Sequence, residues 1–547
     1  MNVLVTCGGG LQGLTLYKEL NALQSKFNIT SHLFDIHAEN ISKYFFDYFF
    51  QCPPVADSEK YISALFEYCA NHKIDFIFPA TTYDLLLLSQ HKLKFKTEIN
   101  CTIAICDEQY VKIFLDKIST NQFLIENGLN TPPLADYNEA SHYPLIAKPK
   151  MGWGGKGLYV FKSYDMFVAA KIDNPNDYLW QKLLSDFVEY SIDFSVNQQG
   201  IISDLVVRTR DATSGGFAVV SSTQSAVPEN ILHQLERVQK TFSQDCFCGL
   251  YNVQIIFANG HAYVTDVNPR IGTSAVMGNV IGKNLLHNFF TADQKQTNTP
   301  ITANFKVVRF LDEIYIPKID TSKIKGIVFD FDDTLISNKD FIIARCTLLY
   351  EKEKNIFNTN VHTFLQMAIA FLNEGKAHKL IDCLCEHFNV DAHQYQILES
   401  YRDCFPESLS IYNDVGHVLE QLHHKGLQLF VLTDNPVRTQ EIKLNLFPHR
   451  HLFTKVYFTG AMKNQKPHPG CFEIICKEYK LLPEELAMVG DNQYRDIIGA
   501  LDAGYKNAFY IKRSDSIVSH SNNIFTNYKN PERIITIQNL KQLLYHF

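Results

Sequence analysis

The sequence predicts an α/β protein of several domains, and three observations carry that expectation. The chain has 547 residues, too many for one ordinary core. Short apolar segments such as "NVLVT", "SHLFD" and "DFIFPA" alternate with helical stretches such as "LYKELNALQ" and "YISALFEYCANH". That alternation predicts parallel sheets layered with helices. A second series begins past residue 320, with "GIVFDFD", "LQLFVLTDN", "LAMVGDN" and "NAFYIK". Each of these strands ends where polar or acidic residues begin, and open parallel sheets bind ligands at those carboxyl ends.

Composition narrows the classes. Apolar residues at 46% and charged residues at 20% are those of an ordinary globular chain. A net charge of −7 argues against nucleic acid or a polybasic membrane surface. No apolar run approaches the ~18–20 residues of a spanning helix. "MNVLVTCGGG" has no basic leader and reads as a first strand, not a signal peptide. The thirteen cysteines are scattered, with Cys246/Cys248 and Cys383/Cys385 the closest pairs and no CxxC. Reduced thiols in a cytoplasmic protein are expected, without a disulfide framework or zinc site.

After the first strand, "CGGGLQG" (7–13) contains GxGxxG, and Asp35 ends the next strand at the distance of a ribose-binding acid. A dinucleotide site is one reading; a tight strand-to-helix turn is the other. "YPLIAKPKMGWGGKGLYVF" (143–161) delivers Lys148 on a strand, then a loop with Gly152, Gly154, Gly155 and Gly157. Such glycines let backbone N–H groups approach phosphate oxygens, and the lysine adds a point charge. In "YLWQKLLSDFVEYSIDFSV" (178–196), a strand edge near Gln181 suits an adenine and Glu189 suits ribose hydroxyls. "YNVQIIFANGHAYVTDVNPRIGTSA" (251–275) is a hairpin turning at Asn259-Gly260. Asp266 and Asn268 share one strand face and offer hard oxygens for Mg²⁺. Arg270 follows, placed to hold a transferring phosphoryl group.

In this order the segments resemble the ATP-grasp superfamily, particularly its carbamoyl-phosphate-synthetase-like and carboxylate–amine ligase branches. The resemblance makes residues 1–105 a pre-ATP-grasp, Rossmann-like domain and 106–310 an α+β ATP-grasp domain. It implies that Lys117, in "LDKISTNQFLIENGLNTPP", and Lys148 face phosphates, with Gly154 and Gly155 in the loop. It places Gln181 and Leu183 on the adenine edge and Glu189 on the ribose. Gln254, Asp266 and Asn268 fall in metal positions, and Arg270 is the NPR arginine. Two departures stand out: Asp266 replaces the commoner glutamate, and Thr273 stands where many synthetases carry arginine. The implied reaction activates a carboxylate as an acyl phosphate, which an amine then attacks. Arg208 or Arg210, in "DLVVRTRDATSGGFAVVSS", is expected to meet a substrate carboxylate.

The polar stretch 311–325, "LDEIYIPKIDTSKIK", reads as a linker. Beyond it, "VFDFDDTL" sets Asp330 and Asp332 two apart at a strand end, as nucleophile and acid/base. Thr433 ends a second strand, Lys466 supplies a cation, and "MVGDNQYRDIIGA" supplies Asp491 and Asp496 toward a Mg²⁺ shell. These four motifs resemble the haloacid dehalogenase (HAD) superfamily. The resemblance implies a HAD-like Rossmannoid domain over 326–547 with a helical cap at about 340–410. Asp330, Asp332 and Asp491 would ligate the metal, with Asp496 behind them.

The expectation is a bifunctional enzyme. ATP-dependent ligation of a carboxylate to an amine would be coupled to Mg²⁺- or Mn²⁺-dependent phosphate monoester hydrolysis. Its partners would be small molecules: an acid, an amine and a phosphorylated metabolite, with a homo-oligomer open. Two alternatives remain: a phosphatase that clears a by-product, and an ATP-sensing module that regulates a fused phosphatase.

Overall fold

A computed structural model describes residues 1–152, 157–214, 217–223, 227–291, 305–309, 314, 316–513, 515–516, 525 and 528–547. The chain divides into two compact units, residues 1–313 and 314–547. The expected linker straddles that division, although Ile324 is buried in the core of the second unit. The polar stretch "QKQTNTPIT" (294–302), which reads as a loop in the sequence, lies outside the described residues. No helix among the described residues is long and apolar enough to cross a membrane.

The first unit opens with a parallel sheet in the order β3-β2-β1-β4-β5. Its strands are β1 (Asn2–Thr6), β2 (Thr30–Asp35), β3 (Tyr48–Gln51), β4 (Phe76–Pro79) and β5 (Thr102–Ile103). Val3, Leu4 and Val5 are all fully buried, as expected of a strand covered on both faces. The helix Leu11–Phe27 starts directly after the glycine run. A Cβ on Gly13 would lie 1.7 Å from the Gly8 carbonyl oxygen, so strand and helix pack this closely only with glycine there.

The rest of the unit holds two antiparallel sheets. The smaller is β7-β6-β8, from β6 (Leu145–Pro149), β7 (Tyr159–Phe161) and β8 (Tyr178–Lys182). The larger is β13-β12-β9-β10-β11-β14. It comprises β9 (Val188–Val196), β10 (Val206–Ser214), β11 (Phe217–Thr223), β12 (Gly249–Ala258), β13 (His261–Asn268) and β14 (Lys306–Val308).

The second unit is built on a parallel sheet in the order β17-β16-β15-β18-β19-β20. Its strands are β15 (Gly326–Phe329), β16 (Gln428–Thr433), β17 (Lys455–Phe458), β18 (Leu486–Gly490), β19 (Asn507–Ile511) and β20 (Ile534–Ile537). Between β15 and β16 lie the helices Asn338–Phe357, Val361–Asn373, Leu380–His387 and Gln394–Arg402. They enclose their own core of Cys346, Leu349, Phe364, Leu384 and Ile397, at the place expected of a helical cap. The C-terminal stretch, which carries no motif, contributes the edge strand β20. All thirteen cysteines are free thiols.

Candidate active sites

In the first unit one cleft of about 990 Å³ collects most of the predicted residues. Lys117, Lys148, Gln254, Asp266, Asn268, Arg270, Arg208 and Arg210 all line it. The opposite wall comes from the carboxyl ends of the parallel strands, at Gly9, Gly10, Asp35, Thr81 and Thr82.

Local sequence explains these placements. Asp116 caps the helix Lys117–Glu126, accepting from the N–H groups of Ile118 and Ser119 at 2.9 and 3.1 Å. Lys117, the first helical residue, thereby reaches the Gly152 carbonyl oxygen at 3.2 Å and lies 3.8 Å from Asp266. Lys148 sits on β6. Burial draws its ammonium below the usual lysine range, aided by Lys117 and opposed by Asp266 and Glu189.

Gln254 and Asp266 are cross-strand partners, as are Asn252 and Asn268. The register slips between Gln254 and Ile255, a bulge of the kind that re-aims side chains beside active sites. Arg270 donates to the Ile271 carbonyl oxygen at 3.0 Å and to Asn268 Oδ1 at 3.3 Å. Burial lowers its pKa, against Asp266 and Asp193. One carboxylate and two amide oxygens on neighbouring strands fit a Mg²⁺ ion whose remaining ligands are phosphate oxygens.

The two candidate arginines differ. Arg210 is paired with Glu189, so the predicted ribose acid already has a cation partner. Arg208 is 3% exposed and donates through Nε to Asp193 Oδ2 at 2.9 Å. Its buried Nη1 has no hydrogen-bond partner among the described residues. Asp193 Oδ1 accepts from Asn252 Nδ2 at 2.7 Å and the Gly272 N–H at 3.1 Å. Asp193 and Asn252 were not identified from the sequence; the signal available was an acid and an amide at buried positions of neighbouring strands.

Other expectations fall elsewhere. Gln181 turns inward and donates to Asn121 Oδ1 at 3.0 Å. The Leu183 N–H, expected at an adenine edge, donates to the Pro144 carbonyl oxygen at 3.0 Å. Gly154 and Gly155 lie outside the described residues. Asp35 accepts from the N–H groups of Gly9 and His37 at 2.8 and 2.9 Å. It therefore serves the strand-to-helix turn, the second reading of that motif.

The second unit gathers its motifs at the carboxyl ends of β15, β16 and β18. Asp330, Asp491 and Asp496 offer carboxylate oxygens within 4.8 Å of one another, all buried. Lys466 donates to Asp330 and Asp496 at 2.6 Å each and to the Leu432 carbonyl oxygen at 3.0 Å. Burial disfavours its ammonium, yet Asp330, Asp496 and Asp434 hold it above the usual lysine range. Burial pushes Asp491 well above the carboxylate range, and the neighbouring Asp330 and Asp496 add to this. Three buried carboxylates, two of them sharing the Lys466 ammonium, fit a divalent cation. Asp496 lies in a π-helical turn, Gln493–Ile498, a form frequent at functional sites. A Cβ on Gly490 would lie 2.5 Å from the Asp496 side chain, so the glycine of "VGDN" makes room for that carboxylate. Thr433 ends β16 and is buried.

Asp332 differs from its predicted place among the metal ligands. Its carboxylate accepts from Gln440 Nε2 and Asn435 Nδ2 at 2.6 Å each, and from Lys443. Burial would raise its pKa, but Lys443, Gln440 and Asn435 hold it below the ordinary value. The structure instead groups Asp496 directly with Asp330 and Asp491. Lys443 went unread in the sequence; the available signal was a lysine beside Leu444, spaced from Gln440 to share one buried helix face.

Comparison with known proteins agrees with this layout. Residues 327–510 match the haloacid dehalogenase-like hydrolase family. A pyrophosphatase PpaX of Bacillus thuringiensis (strain Al Hakam) is 30% identical over 195 residues, 34% of this chain and 82% of that protein. The chain belongs to the haloacid dehalogenase-like hydrolases. The PpaX of Bacillus mycoides (strain KBAB4) is 28% identical over 193 residues, with the same two coverages. Ahead of the hydrolase half, residues 4–115 match the PylC-like N-terminal domain and 114–274 the ATP-grasp domain. The first unit is thus similar to ATP-grasp proteins over residues 114–274. Solved structures of similar shape include biotin carboxylase from Campylobacter jejuni, with a TM-score of 0.46 and 14% identity over 56% of this chain and 74% of that one. An L-amino acid ligase from Bacillus licheniformis overlaps with a TM-score of 0.42 and 17% identity, over 53% and 74%.

Proposed function

We propose that this chain is a bifunctional cytoplasmic enzyme. Its ATP-grasp half joins a carboxylic acid to an amine, and its HAD-like half removes a phosphate from a substrate or from the ligated product. The observation that carries this reading is that each unit assembles its own set of charged groups: Lys117, Lys148, Asp266 and Arg270 on one cleft, and Asp330, Asp491, Asp496 and Lys466 in one cluster.

In the ligase reading, the acid's carboxylate oxygen attacks the γ-phosphorus of ATP, and the bond to the β-phosphate oxygen breaks to give ADP and an acyl phosphate. Lys117, Lys148 and Arg270 offset the charge on the moving phosphoryl group. The amine nitrogen then attacks the acyl carbon, phosphate leaves with the bonding pair, and the amine proton passes to solvent. Gln254, Asp266 and Asn268 would hold Mg²⁺. Arg208, with Nη1 unsatisfied in the cleft wall, receives the acid better than Arg210, which Glu189 occupies.

In the phosphatase reading, an Asp330 oxygen attacks phosphorus and the ester oxygen departs, taking a proton from solvent relayed through Asp332. Water then attacks the aspartyl phosphate, its proton passing to Asp332 as phosphate leaves Asp330. A divalent cation on Asp330, Asp491 and Asp496 would offset the repulsion between carboxylate and phosphate. The name carried by the PpaX relatives puts pyrophosphate beside phosphate monoesters among the compounds to try.

The test measures ADP from ATP and Mg²⁺ with pools of amino acids and phosphorylated metabolites, using Asp330→Asn to silence the second site. Pool-dependent ADP that vanishes in Lys148→Ala supports a ligase. ATP binding without ADP from any pool supports the nucleotide-sensing alternative. Coupling requires that Asp330→Asn accumulate a phosphorylated product that the unaltered chain dephosphorylates.

A further inference from the structure

We propose that Lys443 is the positioning residue for Asp332 and ties that carboxylate's orientation to the first helix of the cap. The inference rests on the hydrolase reading of the second unit.

Lys443 lies on the helix Val437–Asn445 with its side chain 2% exposed. Burying an ammonium is costly unless every N–H is used, and here the ammonium meets three partners. It donates to Asp332 Oδ1, and to Asn338 Oδ1 at 3.1 Å. It also stands 4.2 Å from the centre of the Phe341 ring, within cation–π range. Asp332 belongs to the catalytic loop after β15. Asn338 and Phe341 belong to the helix Asn338–Phe357, which begins the cap. One buried cation therefore touches both the acid/base carboxylate and the element that covers the site.

The other donors to Asp332 come from the same side. Gln440, on the helix of Lys443, and Asn435, just before it, both donate to Oδ2. Together the three fix the plane of the carboxylate. Among the described residues only Lys443 holds Oδ1, so its loss leaves Asp332 free to turn about the Oδ2 contacts. The cap side is fixed too: Asp333 accepts the Asn338 N–H at 3.0 Å, so the helix start and the catalytic loop move together.

The two chemical steps depend on Asp332 unequally when the leaving group is good. Nitrophenolate departs with little help from an acid, whereas hydrolysis of the aspartyl phosphate needs a carboxylate aimed at the attacking water. Positioned acid–base groups contribute about 10²–10⁴ in rate, so a misaimed Asp332 slows mainly the second step.

The experiment uses the full chain, Mg²⁺ and 4-nitrophenyl phosphate. Lys443→Met keeps the side chain's length and removes its charge. Its steady-state kcat is expected to fall at least about tenfold, with KM nearly unchanged. A pre-steady-state burst of about one nitrophenolate per chain should precede the slow phase. Asn338→Ala and Phe341→Leu leave the ammonium–carboxylate pair in place and cut its tie to the cap; each should show a smaller fall with the same burst. If Lys443→Met does not fold, these two variants decide. A kcat within twofold of the unaltered chain in all of them overturns the inference, as does a loss with raised KM and no burst, the mark of a merely structural role. No hydrolysis by the unaltered chain of 4-nitrophenyl phosphate, other phosphate monoesters or pyrophosphate overturns the hydrolase reading beneath it, and the inference with it.

Discussion

Asp193→Asn tests whether the electrostatics at the floor of the first cleft are as described. Asp193 is fully buried and accepts three hydrogen bonds, from Arg208, Asn252 and Gly272. It is the carboxylate partner of the Arg208 guanidinium, which is itself 3% exposed. Removing one member of a buried ion pair leaves the other charge uncompensated and costs about 3–5 kcal/mol. At roughly 2 °C per kcal/mol for a unit of this size, the transition of residues 1–313 should fall by about 6–10 °C. Differential scanning calorimetry measures it, with an ATP analogue added to identify which transition belongs to this unit. The double variant Asp193→Asn/Arg208→Met removes the stranded charge and should recover part of the loss. In the single variant, the acid's KM in the ADP assay should rise because Arg208 loses its orienting partner. A shift below about 1 kcal/mol, with the double variant no more stable than the single, would refute the argument that Asp193 compensates Arg208.

Three further outcomes are expected. Asp491→Asn relieves the crowding of Asp330, Asp491 and Asp496; it should raise the Tm of the second unit in EDTA, yet increase the Mg²⁺ needed for half-maximal hydrolysis by at least about tenfold, read from Mg²⁺ titrations of 4-nitrophenyl phosphate hydrolysis. Burial pushes the Glu19 carboxyl up to about 8, against the Leu285 N–H that lowers it. A folded pKa above the unfolded one makes the folded state hold the proton longer, so this contribution is full below about 4.5 and is lost as pH rises through 8. Stability of the first unit, followed by urea unfolding, should decline over that window, and less steeply in Glu19→Gln. Arg513 donates to Asp414 Oδ2 and to the Thr334 carbonyl oxygen at 2.8 Å each, both buried. Arg513→Met should cost the second unit about 3–5 kcal/mol, measured by the same method.

The candidate site motifs were legible because each is local: a strand end, a turn and a few polar residues at fixed spacing. "VFDFDDTL" reads as a strand delivering acids since β15 is apolar up to Phe329 and polar from Asp330 onward. "VTDVNPR" reads as a metal-bearing strand since alternation puts Asp266 and Asn268 on one face. The helical cap was legible through the resemblance of the motifs on either side of it, and the parallel sheets from the rhythm of strand and helix. The strand β20 was not, because its four residues carry no motif and only pairing with β19 makes them a strand.

What the sequence determined by itself was therefore the kind of chemistry: which side chains stand at strand ends, in what order, and which families share that order. What only the tertiary structure decided was the partner of each charge. Arg208 and Arg210 are two residues apart on one strand and equivalent in the sequence, yet one meets Asp193 in the core and the other Glu189. Asp332 lies two residues from Asp330, yet it faces Lys443, more than a hundred residues later in the chain, while Asp496 joins the carboxylate cluster. The physical reason is that spacing along a strand or helix sets the direction of a side chain. The charge that it meets there arrives from a distant segment, and burial then determines how strongly the two interact.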